Sequence, residues 1–490
     1  MSDNISLSEA QTHALRILLE NKFVAMYLIG PAGYGKTFVI REGIRRLKEQ
    51  NPDIKICITA MSSVAADVIG DVSGIQATTL HSWWGIGKYS LRLHDEKNLR
   101  KVLNPLKHIN PLTTNILFID EVSMLSIQIL EVMDKVLRWY RKNPNERFGG
   151  MKIVLIGDPM QLPPIPAQSG PGLWRDTPLA TDSCLSLTDD HKNTEYAVLN
   201  QPMRCRDKSF QMMLRGLIRK EIDVRRRAMA EFDKHYVPGY ETIAAVVRWA
   251  KESDAMIIAH TNELVSLFNS EVCYHLQSRG RPRHRFEVWF RDFTDDQIVS
   301  IPDDDDPDVV RDHLNREERA ITEDRKRFFP GGWLYEGQLV QIRANHETVN
   351  GKLARVGDVC EFTGCDDKGN AILIRKKDGA ELVVGLYHAQ SEYWSELKWK
   401  GYPFICADAS TVHLLQGCTV PGKLIFWTDI NGDIFGNIPF YLQVAASRVT
   451  VPSNFITTHR LGIHRLVSRD VCETLEGIWK LDFMKPYPTA

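Results

Sequence analysis

The feature that most constrains the fold is a glycine-rich stretch that matches the pattern G-x-x-x-x-G-K-[ST]. It reads Gly30-Pro31-Ala32-Gly33-Tyr34-Gly35-Lys36-Thr37. The apolar residues 23–29 before it predict a buried strand, and residues 38–48 after it have the apolar spacing of a helix. In this order the loop N–H groups can curl around phosphate oxygens at a helix N-terminus. We therefore expect the stretch to bind ATP, with Lys36 on the β- and γ-phosphates and Thr37 on Mg²⁺.

Length and charge limit the remaining possibilities. A chain of 490 residues is too long for one core and predicts about two to four domains. The net charge is -1, so a nucleic-acid partner must be held by a local groove rather than by overall attraction. The polar N-terminus predicts no signal peptide, and no apolar run is long enough to span a membrane.

The cysteines indicate a reducing compartment. There are nine, without a C-x-x-C pair, and the closest two, Cys360 and Cys365, have no partners at zinc spacing. We expect free thiols in a cytoplasmic or nuclear protein and no structural metal.

Alternating strand and helix patterns predict an α/β fold with two parallel-sheet domains. The first covers residues 1–190, and the second is split into 191–277 and 401–490. Between them, residues 278–400 predict an insertion with a partly ordered polar loop and a small β-barrel, since short alternating strands follow from Gln338 to Leu386. The polar loop contains the runs Arg279–Arg285 and Asp303–Asp306, and we interpret its arginines as loop charge rather than as a targeting signal.

Two further segments supply groups for phosphate chemistry. Asp120 and Glu121 end the apolar run Ile116–Ile119, and Gln161 follows the apolar residues 152–156. At the end of a strand in the same sheet, Asp120 can hold Mg²⁺ through its water shell and Glu121 can deprotonate the attacking water. Gln161 offers a neutral donor and acceptor that can sense a γ-phosphate.

The segment Gly157-Asp158-Pro159-Met160-Gln161-Leu162-Pro163-Pro164 resembles a motif of superfamily 1B helicases of the RecD, Dda and Pif type. Further matches follow in the order of that family and cover about Gln11 to Val449. The resemblance implies an adenine-reading role for Gln11, a phosphate contact for Arg204, and an ATP site completed by Arg448 from the second domain. It also implies that Gln416 and Gly417 lie in the ATP-binding motif around 411–419. It further implies a RecA-like fold for the two parallel-sheet domains and an SH3-like fold for the inserted barrel.

The same resemblance implies residues that contact the nucleic-acid strand. These are Thr59 and Ser62 in the first strand-contacting motif, His81 in Thr78-Thr79-Leu80-His81-Ser82, and Thr411 and His413 in the later motif. Single strands bind aromatic platforms in positive grooves, so we add Trp83 and Trp84, of which one is expected to pack in the core and the other to stack. Leu414 and Val64 depart from basic residues of the family pattern, which weakens two strand contacts. A short strand-separating wedge is expected at about 85–112.

Together these features predict an ATP- and Mg²⁺-dependent DNA helicase that moves 5′→3′ on single-stranded DNA and unwinds forked or tailed duplexes, functional as a monomer and without a membrane partner. The 5′→3′ direction of movement is implied by the resemblance alone. An RNA-directed or strand-tracking ATPase without robust unwinding stays open, as does a nucleic-acid-binding ATP switch. The sequence leaves open whether the pathway is replication, repair, recombination or telomere work.

Overall fold

A computed structural model gives the fold of the chain. The residues that it describes are 7–80, 83, 113–159, 161–162, 193–205, 207–217, 221–286, 289–292, 332–390, 397–416, 420, 422–429 and 438–460. The chain divides into two compact units. The first is Met1–Glu241 with Ser253–His260 and Thr411–Ala490, and the second is Thr242–Glu252 with Thr261–Ser410.

The first unit contains a parallel sheet whose strand order is β3-β2-β4-β5-β1-β6. The strands are β1 (Ala25–Ile29), β2 (Ile56–Ala60), β3 (Thr78–Thr79), β4 (Ile116–Asp120), β5 (Lys152–Gly157) and β6 (Thr194–Val198). The accompanying helices are α1 (Glu9–Glu20), α2 (Lys36–Gln50), α3 (Ser63–Ser73) and α4 (Ile127–Tyr140). Every residue of β1 is buried, because a parallel strand covered on both faces is apolar throughout. The predicted α/β fold with a parallel sheet is confirmed.

Strand β6 corrects the predicted end of the first domain at residue 190. Thr194–Val198 pairs in parallel with Ala25–Ile29, and the ring of Tyr196 stacks on Tyr27 at 5.0 Å. The sheet therefore extends past the predicted boundary. The strand was missed because its polar residues Thr194 and Glu195 do not form the continuous apolar run that marks the central strands.

A second set of parallel strands lies in the same unit. In this set β21 (Leu424–Phe426) pairs with β7 (Met256–Ala259) on one side and with β22 (Phe455–Thr457) on the other. The helices of this part are α5 (Lys208–Gly216), α6 (Ile222–Phe232) and α9 (Ile438–Ala446). One hydrophobic core joins buried side chains of both parallel sheets, for example Leu155 of β5 and Phe426 of β21.

The second unit is mainly antiparallel. Its five-stranded sheet has the order β16-β15-β14-β11-β19, formed by β11 (Leu339–Ile342), β14 (Val359–Cys365), β15 (Ala371–Arg375), β16 (Glu381–Val384) and β19 (Phe404–Cys406). Smaller pairings involve β8 (Arg283–Phe286), β9 (Trp289–Asp292), β10 (Gly332–Tyr335), β12 (His346–Glu347), β13 (Leu353–Ala354), β17 (Tyr387–Gln390) and β18 (Leu397–Gly401). Helices α7 (Ile243–Ser253) and α8 (Asn262–Ser278) precede these strands. The antiparallel insertion fits the expectation, whereas its closure into a barrel stays a prediction.

Two details of the insertion differ from the sequence analysis. Phe404–Cys406 was assigned to the resumed α/β pattern, but it pairs antiparallel with Leu339–Ile342. Phe404 is buried with the core of this sheet, which explains the pairing, because a short apolar run fits either kind of sheet. Part of the arginine run, Arg283–Phe286, is a strand rather than loop.

Other expectations concern regions outside the described residues. The wedge at about 85–112 and the run Asp303–Asp306 belong to these. Within the described part of the chain, every helix is too short or too polar to cross a bilayer.

Candidate active site

The glycine-rich loop connects β1 to α2, as the sequence predicts. Gly33 and Gly35 have φ angles of 81° and 86°, a left-handed conformation that glycine adopts without strain. A Cβ atom on Gly33 would lie 2.7 Å from the Cβ of Arg204, and one on Gly35 would lie 2.7 Å from Nε2 of Gln11. Glycine at these two positions therefore lets both side chains approach the loop backbone.

Lys36 begins helix α2 and turns back over the loop. Its ammonium group donates to the carbonyl oxygens of Gly30 at 2.7 Å and Pro31 at 3.2 Å. These bonds hold the positive charge at the centre of the loop, where a phosphate group can replace the carbonyl partners. The geometry fits the predicted contact of Lys36 with a terminal phosphate.

Asp158 fixes the loop from the end of β5. This buried carboxylate accepts the N–H of Ala32 at 3.0 Å and the side-chain amide of Gln161 at 3.5 Å. The sequence analysis singled out Gln161 and overlooked Asp158. The available signal was the position of Asp158, which is the first carboxylate after a buried strand that pairs with β1.

The acidic pair lies at the end of β4, as predicted. Glu121 is buried and has a φ angle of 54°, and its N–H donates to Oδ1 of Asp120 at 2.8 Å. Burial, together with the charge of Glu121, raises the pKa of Asp120 to about 7, although Lys36 acts in the opposite direction. Two desolvated carboxylates beside a hydroxyl group, that of Thr37, form an oxygen donor set that fits a divalent cation such as Mg²⁺.

Gln416 reaches the acidic pair from the later part of the chain. Its side-chain amide donates to Oε2 of Glu121 at 3.3 Å and to the hydroxyl of Ser123 at 3.0 Å. Sequence resemblance predicted an ATP contact for Gln416, and the structure places it on Glu121. Its effect on chemistry would then be to orient that carboxylate. Ser123 was missed, since only tertiary proximity identifies it.

The arginines predicted to act on phosphate lie in the same cavity as the loop. The cavity has a volume of about 290 Å³, and its lining residues are Ala32, Gly33, Gly35, Lys36, Thr37, Ala65, Val68, Asp120, Glu121, Gln161, Met203, Arg204 and Arg448. Arg448 is only 1% exposed, and its guanidinium donates to the carbonyl of Val444 at 3.0 Å and the hydroxyl of Ser447 at 2.9 Å. Arg204 donates to the carbonyl of Ser447 at 3.2 Å. Residues far apart in sequence therefore present cations to one cavity.

Gln11 has a structural role beside its predicted one. Its side-chain oxygen accepts the N–H of Ser8 at 3.1 Å, and the Ser8 hydroxyl accepts the N–H of Gln11 at 3.2 Å. This reciprocal pair is a capping box at the start of α1. The box holds the Gln11 amide beside Gly35, where an adenine base could be read.

Tyr34 braces the loop against α5. Its ring is buried, its hydroxyl donates to Oε1 of Gln211 at 3.2 Å, and the guanidinium of Arg215 donates to that hydroxyl. The same guanidinium lies over the ring, 5.2 Å from its centroid. Tyr34 is therefore a structural member of the predicted ATP-binding stretch rather than a side chain facing the cavity.

Two of the residues predicted to contact the nucleic-acid strand are buried in the fold. The hydroxyl of Thr59 is buried and donates to the carbonyl of Phe118 at 3.0 Å, and Trp83 is 4% exposed within the hydrophobic core. Both side chains thus stabilise the fold here. Trp83 is the member of the tryptophan pair that packs in the core, and Trp84, His81 and Gly417 lie outside the described residues.

Of the other three predicted strand residues, Ser62 and Thr411 each cap the start of a helical segment, and His413 lies within the short turn Val412–Leu415. Ser62 caps α3 by accepting the N–H of Ala65 at 3.2 Å, and Thr411 accepts the N–H of Leu414 at 3.4 Å. The ring of His413 packs edge-on against Tyr441 at 5.9 Å, and burial lowers its pKa. A neutral imidazole at this position can donate one hydrogen bond and accept another but adds no charge for phosphate.

Sequence comparisons agree with this site. The profile of the AAA domain family matches residues 6–212. An ATP-dependent DNA helicase Pif1 from Psychrobacter is 39% identical over 158 residues, which are 32% of this chain and 22% of the relative. An uncharacterised protein of invertebrate iridescent virus 6 is 33% identical over 166 residues, 33% of this chain and 29% of that protein. The chain therefore matches less than a third of the length of these relatives.

Structural similarity extends over the whole chain. A crystal structure of Pif1 helicase from Candida albicans superposes with a TM-score of 0.66 at 18% identity, covering 97% of this chain and 100% of that one. Bacteroides Pif1 bound to ssDNA gives a TM-score of 0.63 at 19% identity, with 97% and 98% coverage.

The phosphate loop after β1, the acidic pair after β4 and the shared cavity define a nucleoside-triphosphate-binding protein of the RecA-like class. The match to the AAA domain family covers residues 6–212, which include the first parallel sheet. The superposition on the Candida albicans Pif1 structure covers 97% of the chain. The resemblance to Pif-type helicases drawn from the motifs is confirmed, since Pif1 relatives match part of the chain in sequence and Pif1 structures share its fold.

Proposed function

We propose that the chain is an ATP-dependent DNA helicase that moves 5′→3′ along single-stranded DNA and unwinds duplexes. The observation that carries the proposal is the cavity in which Arg204 and Arg448 lie with Lys36 and Glu121. The relatives support it by name, since they include ATP-dependent DNA helicases Pif1 and RRM3. Among the similar structures is Bacteroides Pif1 in complex with ADP-AlF3 and ssDNA.

The chain's own residues divide the work of phosphoryl transfer. Lys36 neutralises the terminal phosphates, and Glu121 takes the proton of the attacking water while Gln416 holds its carboxylate in place. Arg204 and Arg448 stabilise the charge that develops on the transferred phosphoryl group. Gln161, held by Asp158, senses whether a γ-phosphate is present.

Mg²⁺ fits the oxygen donors of Thr37 and Asp120, and when bound it would neutralise charge on the β- and γ-phosphates. The carboxylate of Asp120 must be ionised for this role, and the charge of a bound cation would oppose the burial that raises its pKa. Glycine N–H groups and the start of α2 would bind the phosphates themselves.

Movement follows if hydrolysis changes the contacts between the parallel sheets. Three residues that follow β7 in sequence reach the site beside the first sheet. Ser447 accepts a hydrogen bond from Arg204, Gln416 donates one to Glu121, and Arg448 lines the cavity. Loss of the γ-phosphate would remove the partner that these groups share, so the strand-contacting motifs on the two sheets could shift with each cycle.

The proposed partners are single-stranded DNA and forked or tailed duplexes, with the monomer as the working unit. A structure of forked dsDNA with two coordinating Pif1 helicases shows that a second copy can take part in that relative. Unwinding measured at rising protein concentration would separate the cases, because a monomer gives a rate proportional to concentration.

The deciding experiment measures ATP hydrolysis with and without single-stranded DNA, beside unwinding of duplexes with a 5′ or a 3′ tail. Stimulated hydrolysis and unwinding of the 5′-tailed duplex alone are expected. Activity on RNA duplexes would favour the RNA-directed alternative, and strand binding without turnover would favour an ATP switch.

A further inference from the structure

The arginine run of the second unit forms part of an exposed two-stranded ribbon. Strand β8, Arg283–Phe286, pairs antiparallel with β10, Gly332–Tyr335, and Arg285 lies opposite Trp333. Alternate side chains of such a pair point to opposite faces, so the ribbon has an inner and an outer side.

The inner side packs in the core of the second unit. Phe286 and Leu334 are buried there, and the ring of His284 meets Phe362 edge-on at 5.4 Å. This packing fixes the register, because a shift by one residue would place arginines in the core. The same register therefore places Arg283, Arg285 and Trp333 on the outer side.

The outer side presents cations around an exposed indole. Arg283 and Arg285 are exposed on it, and Trp333 is 46% exposed. The guanidinium of Arg283 lies 4.1 Å from the centroid of the Trp333 ring. Tyr335 marks the limit of this surface, because it is buried and its hydroxyl donates to Gln277 at 3.2 Å. We call the set Arg283, Arg285 and Trp333 the arginine–tryptophan ribbon.

Two carboxylates of the described part of the second unit are paired with other residues. Glu252 pairs with Arg279 at 3.6 Å, and Glu336 pairs with His284 at 3.2 Å on the inner side. Within the described part of the chain, no carboxylate forms an ion pair with Arg281 or Arg283. The ribbon is thus a local positive surface on a chain whose net charge is -1.

We propose that the arginine–tryptophan ribbon binds a single strand of nucleic acid, with Trp333 stacked on a base and the arginines contacting phosphates. The inference rests on the proposed function and adds a contact surface that its motifs do not include. An exposed base face is present in a single strand but not within a duplex, and an acidic peptide would have no use for the indole. Charge complementarity and the stacking platform together select this occupant.

The first test is Trp333→Ala, assayed by fluorescence anisotropy of a labelled oligothymidylate without nucleotide. Loss of one stacked base is expected to weaken binding about tenfold. Trp333→Phe should restore most of the affinity, because a phenyl ring also stacks. The matched control is Trp139→Ala on α4, since Trp139 is 54% exposed and distant in sequence from the ribbon.

The second test is Arg283→Ala, with Arg16→Ala on α1 as an exposed control. Loss of one phosphate contact on a single strand should reduce the slope of log affinity against log salt by about 0.7. Hydrolysis of ATP in the absence of a strand should be unchanged in both variants, because the ribbon has no group in the cavity around Lys36.

The outcomes separate this inference from the function on which it rests. If the wild type binds the strand and its hydrolysis is stimulated, but both ribbon variants match their controls, the ribbon proposal is overturned alone. If the wild type binds no strand, both proposals fail. Equal loss of affinity in Trp333→Ala and Trp139→Ala would also overturn the ribbon, because it would indicate a general effect.

Discussion

In the proposed mechanism, Lys36 is the residue on which ATP hydrolysis depends most directly. Its ammonium is held by two loop carbonyls and so contributes to the site rather than to the hydrophobic core. We expect Lys36→Ala to lower the turnover of ATP by at least about 100-fold, as for loss of a group that stabilises transition-state charge. Strand binding should change little. Lys48→Ala, at the exposed end of the same helix, is the control, and normal turnover by Lys36→Ala would exclude the site.

Arg448 should act on the transition state more than on bound nucleotide. Its guanidinium is buried and oriented by Ser447 and Val444, so its position is set before ATP arrives. Arg448→Ala is expected to lower kcat far more than the affinity for ATP, because charge on the phosphoryl group develops during transfer. Arg448→Lys keeps the charge without the planar fork and should recover only part of the rate. Equal losses of rate and affinity would contradict this role.

The capping role of Gln11 can be tested apart from its predicted adenine contact, because Ser8 takes part in the same capping box. Ser8→Ala removes the hydroxyl acceptor and should cost about 1 kcal/mol of stability, yet the Ser8 N–H still holds the Gln11 side chain. Gln11→Ala should in addition weaken ATP binding, which equilibrium titration with a fluorescent ATP analogue would measure. If Ser8→Ala lost as much affinity as Gln11→Ala, Gln11 would be a cap and not an adenine contact.

At the scale of elements, the phosphate loop is braced by helix α5 through Tyr34. Tyr34→Phe removes the hydroxyl that links Gln211 to Arg215 and leaves buried polar groups without this partner. Such a loss costs about 1–3 kcal/mol, which chemical denaturation would report as a lower free energy of unfolding. Tyr274→Phe, at an exposed tyrosine of α8, should have no measurable effect. An unchanged free energy of unfolding in Tyr34→Phe would contradict a stabilising role for this hydroxyl.

In the second unit, Lys251 of α7 holds the segment before Thr411. It donates to Asp408 at 2.7 Å and to the carbonyl of Gly337 at 2.7 Å, and Asp408 also accepts the N–H of Leu339 at 3.0 Å. Lys251→Ala leaves a buried carboxylate without its cation and should cost about 3–5 kcal/mol in the free energy of unfolding.

The pH dependence of that variant has a definite sign. Burial already raises the pKa of Asp408, and Lys251 is the largest opposing influence, so its removal raises the pKa further. A carboxyl group with a higher pKa in the folded than in the unfolded state binds protons more tightly when folded. Stability lost at neutral pH should therefore be partly regained as the pH falls below the folded pKa. An equal deficit at neutral and acidic pH would contradict this account.

Elements with one dominant pattern were predictable from sequence. The loop between β1 and α2, and the strands β4 and β5, follow from apolar runs beside polar groups. The edge strand β6 and the strand at Phe404 did not follow, because their neighbours in the sheet, rather than their own residues, decide the assignment. Among site residues, Asp158 and Ser123 were missed for a related reason, since each is identified by a partner distant in sequence.

At the scale of the whole molecule, net charge determines how a strand is held. Because the chain carries -1 overall, the proposed attraction to a nucleic-acid strand would come from local cations such as those of the arginine–tryptophan ribbon. Strand affinity should fall as salt rises, with a slope of about 0.7 per phosphate contacted. Anisotropy titrations at several salt concentrations would measure the slope, and an affinity independent of salt would contradict phosphate contacts altogether.

The backbone of Glu121 has a consequence for the molecule's evolution. A left-handed φ of 54° is unfavourable for a side chain larger than glycine, so the position costs the folded state about 1–2 kcal/mol. Selection for thermal tolerance alone would favour glycine there and would erase the carboxylate. A heat-adapted descendant that keeps the proposed carboxylate chemistry must therefore gain its stability at other positions.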